Sequence, residues 1–263
     1  MIQLPASSYT VRERGFPENV GCPYYLFDDD TTLKAHPDYR VAKAGDQAAA
    51  VNVVWDLAVD FLDKLVEKLP RDVIYVAPFA REAAGDNAIP QVLAAACASL
   101  AGGSVDNEIV QVTRVFHTGA DPMERLSLRA QFEGEVIAGA CYVLVDDVIS
   151  MGGTLAELAD YIQRAGGLVT AVVTLVNAGR IKALRGEPRV IKKLQERYAN
   201  EILNIFGIQP VALTANEAQY LVGFRTPDEI RNRLAKARKE INRRLRSKGI
   251  RWTDEYKDTG NTC

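Results

Sequence analysis

One stretch of the chain, residues 141–158 with the sequence CYVLVDDVISMGGTLAEL, constrains the fold more than any other. Residues 141–145 form an apolar run bounded by a turn signal, which predicts a strand buried on both faces of a parallel sheet. Asp146 and Asp147 come next, and after a short Gly-rich loop an amphipathic run predicts a helix over residues 155–164. This pattern predicts an α/β protein with a doubly wound, mainly parallel sheet whose ligand binds at the carboxyl ends of the strands.

The loop at residues 150–154 has the composition of a phosphate-binding loop. Gly152 and Gly153 let the backbone turn so that successive N–H groups point inward, and the helix behind them adds its positive end. The hydroxyls of Ser150 and Thr154 can donate hydrogen bonds to the same phosphate. A lone Gly-Gly loop after a strand also occurs in many α/β proteins without a ligand. The combination of strand, acids, glycines and hydroxyls favours a phosphorylated sugar over that alternative.

The two acids have a complementary use. Asp146 and Asp147 follow the strand, where they can accept hydrogen bonds from a vicinal diol. Carboxylate oxygens also suit a magnesium ion shared with a pyrophosphate group. The sequence therefore predicts a site that holds a ribose with a phosphate at one end.

The segment VLVDDVISMGGT, residues 143–154, resembles the phosphoribosyl diphosphate (PRPP) signature of the type I phosphoribosyltransferases. The resemblance implies the fold of that family, PRPP and Mg²⁺ as ligands, and a substrate acceptor that the sequence does not identify. It implies that Asp146 and Asp147 are catalytic, hold the ribose 2- and 3-hydroxyls, and contact the metal indirectly through PRPP. It also implies a loop that cradles the 5-phosphate, made of Ser150, Met151, Gly152, Gly153 and Thr154, with Val148 as a further substrate-binding residue.

Two loop residues depart from the family pattern. Ser150 and Met151 stand where the family usually has small hydroxyl residues or, in some purine enzymes, an acid that serves as a base. Ser150 is not basic, so any proton abstraction must come from another group. Met151 removes one side-chain donor but can leave the main-chain donors in place.

A second strand and loop precede this region. Residues 72–77 predict a buried strand, and residues 89–100 predict an apolar helix after it. By resemblance the connecting loop receives pyrophosphate, with Arg81 as a cation. Its Pro, Arg, Gly and Asn residues are loosely similar to the ComF-like branch of the family. The alternative for Arg81 is a solvated loop arginine.

The polar connection at residues 117–134 predicts a lid, because a structureless loop this long is unusual inside a compact domain. It follows a strand predicted over residues 108–116. The resemblance implies a flexible loop here that excludes water from PRPP. Arg114, at the strand end, is the preferred catalytic cation, and Arg125 and Arg129 are further candidates for pyrophosphate. The alternative role for Arg125 and Arg129 is a surface ion pair with Glu124 or Glu133.

The remaining elements complete a three-part organisation: an arm and covering helix at 1–70, a core at 71–213, and a helical basic extension at 214–263. Residues 1–39 predict an irregular arm, and residues 47–69 predict a helix capped by Asp46. Later elements are a strand at 168–176, a helix at 190–206, a short strand at 209–213 and a helix capped by Thr214.

The extension carries a strongly basic helix from residue 226 to residue 251. Its apolar residues form one stripe, so the helix packs by that face and turns its charge outward: Ile230, Leu234, Ala237, Ile241 and Leu245. An electrostatic footprint for nucleic acid is one interpretation. A solvated helix or a homodimer contact is favoured over nucleic-acid binding, because no aromatic residues are interleaved with the Lys and Arg residues.

Composition limits the class of protein. The chain has 263 residues, 48% of them hydrophobic, and a net charge of −2, which gives no general attraction to nucleic acid or membranes. No apolar stretch is long enough for a transmembrane helix, and four scattered cysteines without metal-binding spacing indicate a reduced, cytoplasmic protein. The resemblance of residues 143–154 to the PRPP signature implies a magnesium-dependent phosphoribosyltransferase. The alternative is a non-catalytic PRPP- or nucleotide-sensing regulator that binds nucleic acid through its basic helix.

Overall fold

A computed structural model of the chain describes residues 10–79, 87–112 and 121–247. Five parallel strands form the main sheet in the order β1-β7-β6-β2-β3, and two short antiparallel strands, β4 and β5, pair beside it. The strands are β1 Tyr24–Phe27, β2 Ile74–Val76, β3 Ser104–Val105, β4 Val110–Gln111, β5 Phe132–Glu133, β6 Cys141–Ile149 and β7 Leu168–Asn177.

Helices cover both faces of the main sheet. The helices are α1 Thr31–Ala35, α2 Tyr39–Lys43, α3 Gln47–Leu65, α4 Ile89–Ala101, α5 Pro122–Ser127, α6 Gly153–Arg164, α7 Pro188–Phe206, α8 Ala215–Val222 and α9 Pro227–Ser247. Apolar residues of α3 and α4 pack on one face, those of α6 pack on the other, and α5, α7, α8 and α9 share a third cluster. The predicted doubly wound, mainly parallel α/β fold is therefore confirmed.

Strand β6 lies in the interior of the sheet, between β7 and β2. Residues 142–145 have no exposed surface. Their side chains alternate between the two core clusters: Val143 and Val145 face α3 and α4, while Tyr142 and Leu144 face α6. An uninterrupted apolar run is what a strand covered on both faces requires, so the predicted central strand is confirmed.

Two predicted helix caps are present. The Asp46 carboxylate accepts a hydrogen bond from the N–H of Ala49 at 2.8 Å, which starts α3 as predicted. Thr214 and Glu217 form a capping box at the start of α8. Both caps depend on contacts within three residues, which sequence patterns capture well.

Three predicted elements differ from the structure. The supposedly irregular arm contains β1, which pairs with β7 in parallel and extends the sheet. Residues 210–212 form a 3-10 turn instead of a strand, because Pro210 fixes its own φ and lacks an N–H for a ladder. Of the strand expected over residues 108–116, the described part contains β4, which pairs with β5 rather than with the main sheet.

No helix in the described part of the chain combines the length and the apolar character that a membrane crossing requires. The described cysteines, Cys22, Cys97 and Cys141, are free thiols. The three-part division of the chain stays a prediction, although β1 joins the N-terminal part to the sheet of the core.

Candidate functional site

Two carboxylates lie side by side at the carboxyl end of β6. Asp147 is 4% exposed, and its main-chain N–H donates a hydrogen bond to Asp146 Oδ1 at 2.8 Å. Burial, together with the neighbouring Asp147 carboxylate, raises the pKa of Asp146 well above its ordinary value. The pair thus offers clustered acceptor oxygens at the edge of the sheet where α/β folds bind ligands.

Lys43, the last residue of α2, compensates this charge. Its Nζ donates to Asp147 Oδ2 at 3.0 Å, and about a third of the Lys43 side chain is exposed (34%). Burial works to lower the pKa of Lys43, but the Asp147 carboxylate outweighs it, so the pKa is raised and the ammonium form is favoured. The sequence analysis did not identify Lys43, because it lies 104 positions from its partner in an arm without a motif.

The loop at residues 150–154 connects the acid pair to α6, and all of its residues are partly exposed. Gly152 is the N-cap of α6 and has φ 77°, a left-handed conformation that favours glycine. No acceptor in the described ranges is hydrogen-bonded to the main-chain N–H groups of residues 151–154. These amides and the positive end of α6 form an arrangement that suits a phosphate.

The loop is supported from behind by α8. The hydroxyl of Thr214 donates to the main-chain oxygen of Met151 at 2.6 Å. A Cβ on Gly153 would lie 2.9 Å from Glu217 Oε1, so the glycine permits the close approach of that carboxylate. Sequence reasoning identified Thr214 as a cap but not as a support for this loop, since nothing in a capping pattern specifies the helix on which it packs.

Arg129 has a structural role, which corrects the prediction that it binds pyrophosphate. It is 5% exposed and pairs with Glu157 through Nε (2.7 Å) and Nη2 (2.6 Å). It also donates to main-chain oxygens of Thr10, Phe206 and Gly207. A buried guanidinium committed to a carboxylate and three carbonyl groups has no donors to offer a ligand.

Arg12 extends this buried network. It has no exposed surface and forms ion pairs with Glu157 of α6 and Glu217 of α8. The network therefore ties the N-terminal arm, α6 and α8 together behind the loop at residues 150–154, and its charges are paired as buried charges must be.

Arg125, in contrast, lies at the loop. Its Nη1 donates to Ser150 Oγ at 2.9 Å, and burial lowers its pKa from the ordinary value, although the nearby Glu124 opposes that shift. A guanidinium remains charged in a protein at neutral pH. The structure thus places Arg125, which was predicted to bind pyrophosphate, beside Ser150, which was predicted to bind the 5-phosphate.

The other predicted site residues divide into two groups. The Val148 side chain packs against the core cluster of α3 and α4, so only its main chain can contribute to the loop. Arg81 and Arg114 lie outside the described residues.

The acid pair fits a shared magnesium ion better than a resident one. The described residues hold no group of three or more His, Cys, Asp or Glu side chains that could bind a metal. Asp146 and Asp147 supply carboxylate oxygens, which magnesium prefers, but Mg²⁺ needs six ligands and takes many of them from water and phosphate. A metal here would rely on a bound diphosphate for much of its coordination.

Helix α9 buries the predicted apolar stripe as far as it is described, with Ile230, Leu234, Ala237 and Ile241 each at most 7% exposed. The side chain of Leu245 lies outside the described residues. Three basic side chains face solvent without an ion pair among the described residues: Lys236, Arg238 and Lys239.

No protein family model matches the chain. Over 248 residues it is 36% identical to protein TraN of Escherichia coli, a match that covers 90% of this chain and 54% of that protein. It is 35% identical over 130 residues to an uncharacterized protein of Haemophilus influenzae, covering 49% of this chain and 29% of that one. The chain thus spans about half the length of TraN and less of the second relative.

Among solved structures the chain is similar to adenine phosphoribosyltransferases. The enzyme of Thermoanaerobacter pseudethanolicus matches with 20% identity and a TM-score of 0.35, over 50% of this chain and 74% of that chain. The Trypanosoma brucei enzyme in complex with AMP, pyrophosphate and ribose-5-phosphate matches with 15% identity and a TM-score of 0.35, over 59% and 84% of the two chains. These likenesses are partial, and the fold of this chain is defined by the strand order and helix layers described above.

Proposed function

We propose that the chain binds PRPP and transfers its phosphoribosyl group to an acceptor nucleophile, with release of pyrophosphate. One observation carries the proposal: the acid pair at the end of β6 is followed by the partly exposed residues 151–154, whose main-chain amides no described acceptor engages. Acceptors for a diol next to donors for a phosphate are complementary to the two ends of ribose 5-phosphate.

The ligand would use both halves of this site. Its 5-phosphate accepts hydrogen bonds from the amides of residues 151–154, with Arg125 and Thr154 adding charge and a hydroxyl donor. Its 2- and 3-hydroxyls donate to Asp146 and Asp147. The glycosidic carbon then faces solvent, where the acceptor can approach.

The chemistry requires positioning and electrostatics rather than a covalent intermediate. The bond from carbon 1 to the pyrophosphate oxygen breaks, and its electron pair leaves with pyrophosphate. The acceptor's lone pair forms the new bond to carbon 1, and the proton that the acceptor loses goes to solvent water. Positive charge develops on the ribose, and the nearby carboxylates stabilise it. Mg²⁺, when bound with the diphosphate, would stabilise the negative charge on the leaving group.

The test combines binding with turnover. The full chain is incubated with PRPP and Mg²⁺ across a panel of purine and pyrimidine bases, and released pyrophosphate is measured. Asp147→Asn should weaken PRPP binding and reduce release about tenfold or more, because it removes a charged acceptor. Asp63→Asn, an exposed change on α3, is the matched control and should behave as the wild type. A wild-type chain that binds neither PRPP nor ribose 5-phosphate contradicts the proposal.

A second candidate is a PRPP- or nucleotide-sensing regulator that binds nucleic acid through α9. Its support is the solvent-facing group of Lys236, Arg238 and Lys239 described above. Saturable PRPP binding without pyrophosphate release for any acceptor favours this function. Salt-sensitive binding of DNA or RNA should then be lost when these three basic residues are replaced by Ala. The matched control replaces three exposed basic residues near the end of α3 with Ala: Lys64, Lys68 and Arg71.

A further inference from the structure

We infer that Lys43 binds the diphosphate group of PRPP, exchanging its ion pair with Asp147 for the ligand's phosphate oxygens. The inference rests on the proposed function and adds a residue from the N-terminal arm to the site.

Lys43 has donors left to offer. An ammonium group carries three N–H donors. Among the described residues, the Lys43 ammonium donates one hydrogen bond, to Asp147 Oδ2. Its side chain remains 34% exposed, whereas that of Asp147 is 5% exposed. The ammonium therefore lies between a buried carboxylate and solvent, so an anionic ligand reaching the acid pair meets Lys43.

Lys43 and α6 lie on opposite faces of β6. The preceding residue, Ala42, is buried in the cluster that contains Val143 and Val145. The first turn of α6 packs through Leu155 into the cluster on the other face. A ligand that spans the acid pair from α6 therefore ends near Lys43.

The chemistry of ribose determines which end that is. Carbon 4 carries the 5-phosphate arm next to the 3-hydroxyl, whereas carbon 1 carries the diphosphate next to the 2-hydroxyl. When the acids hold the two hydroxyls and α6 holds the 5-phosphate, the diphosphate lies on the side away from α6. Lys43 is on that side, where a cation is complementary to the diphosphate.

The end of α2 is also held against the start of α4. The main-chain N–H of Ala88, just before α4, donates to the oxygen of Ala42 at 3.1 Å. This bond joins the residue before Lys43 to the end of the segment that the sequence analysis assigned to pyrophosphate. Lys43 thus pairs with Asp147 and directly follows the residue that is hydrogen-bonded to Ala88.

The test compares two ligands that differ in the diphosphate. Calorimetric affinities for PRPP and ribose 5-phosphate are measured at constant Mg²⁺ for the full-length wild type, Lys43→Met and Lys43→Arg. Lys64→Met, an exposed lysine on α3, is the matched control. Lys43→Met should weaken PRPP binding about tenfold or more and ribose 5-phosphate binding less than about threefold, because only PRPP carries the group that Lys43 contacts. Lys43→Arg should restore most of the PRPP affinity.

The outcomes separate this inference from the proposed function. If the wild type binds both ligands and Lys43→Met weakens both equally, Lys43 only neutralises Asp147 and the inference is wrong while the proposed function stands. Tighter PRPP binding in Lys43→Met also overturns it, since the lysine then competes with the ligand. If the wild type binds neither ligand, both proposals fail. If Lys43→Met does not fold, Lys43→Gln replaces it, and the loss of affinity for PRPP is again compared with the loss for ribose 5-phosphate.

Discussion

The Thr214 hydroxyl joins two helix starts: it donates to the Met151 main-chain oxygen at 2.6 Å and accepts from the N–H of Glu217 at 3.1 Å. One side chain therefore caps α8 and holds the loop ahead of α6. Because the loop contacts α8 through this bond, the conformation of the proposed phosphate site depends on a residue 63 positions away.

We expect Thr214→Val to lower the free energy of unfolding by about 1–2 kcal/mol and also to weaken PRPP binding, because it removes the cap and the loop contact together. Urea unfolding and calorimetry measure the two effects. Thr214→Ser should retain both. Asp46→Ala removes the cap of α3, away from the loop, and should cost similar stability without a change in affinity. Equal affinity losses in Thr214→Val and Asp46→Ala would contradict this role of Thr214.

Gly152→Ala should reduce stability by about 1–2 kcal/mol, because alanine is strained at φ 77°. Its Cβ would meet Thr214 Cγ2 at an ordinary 3.6 Å, so strain rather than a clash is the cause. Gly139→Ala is the matched control, with φ 79° and open space around its Cβ. Both variants should unfold at lower urea concentration, but only Gly152→Ala should bind PRPP more weakly.

Arg129→Met should destabilise the protein by about 3–5 kcal/mol, since it removes one partner of a buried ion pair with Glu157. Arg125→Met should have a smaller effect on stability and weaken binding of ligands that carry a 5-phosphate. Asp147→Ala should weaken PRPP binding more than either arginine change. Urea unfolding separates the two arginines, and an Arg129 variant as stable as the wild type would refute the structural role.

The ion pair between Asp121 and Arg233 predicts a loss of stability in acid. Burial alone would raise the pKa of Asp121, but hydrogen bonds from Arg233 and from the N–H groups of Glu124 and Met123 outweigh it and lower the pKa. The contribution is therefore complete above the unfolded-state pKa of about 3.9 and is lost as the pH falls through the lower folded-state value.

Urea unfolding from neutral pH to below about pH 4 measures this dependence. Asp121→Asn should start less stable and lose less stability over the acidic range, because asparagine does not titrate. Asp63→Asn, exposed on α3, should keep the wild-type slope. A wild-type slope in Asp121→Asn would contradict the prediction.

Local patterns in the sequence were sufficient for the central unit of the fold. The apolar run of β6, the glycines of the loop and the amphipathic run of α6 all express preferences that act over a few neighbouring residues. The same holds for the caps at Asp46 and Thr214. The magnesium ion, the homodimer and the cytoplasmic location remain predictions, as do the roles of the residues outside the described ranges.

Tertiary structure alone decided which charges meet. Arg125 and Arg129 lie four positions apart and look equivalent in the sequence, yet one contacts Ser150 of the loop and the other is buried against Glu157. Lys43 reaches Asp147 across 104 positions. Such pairings depend on how helices pack across the sheet. Local preferences for helix, strand or turn do not specify which residues far apart in the sequence become partners.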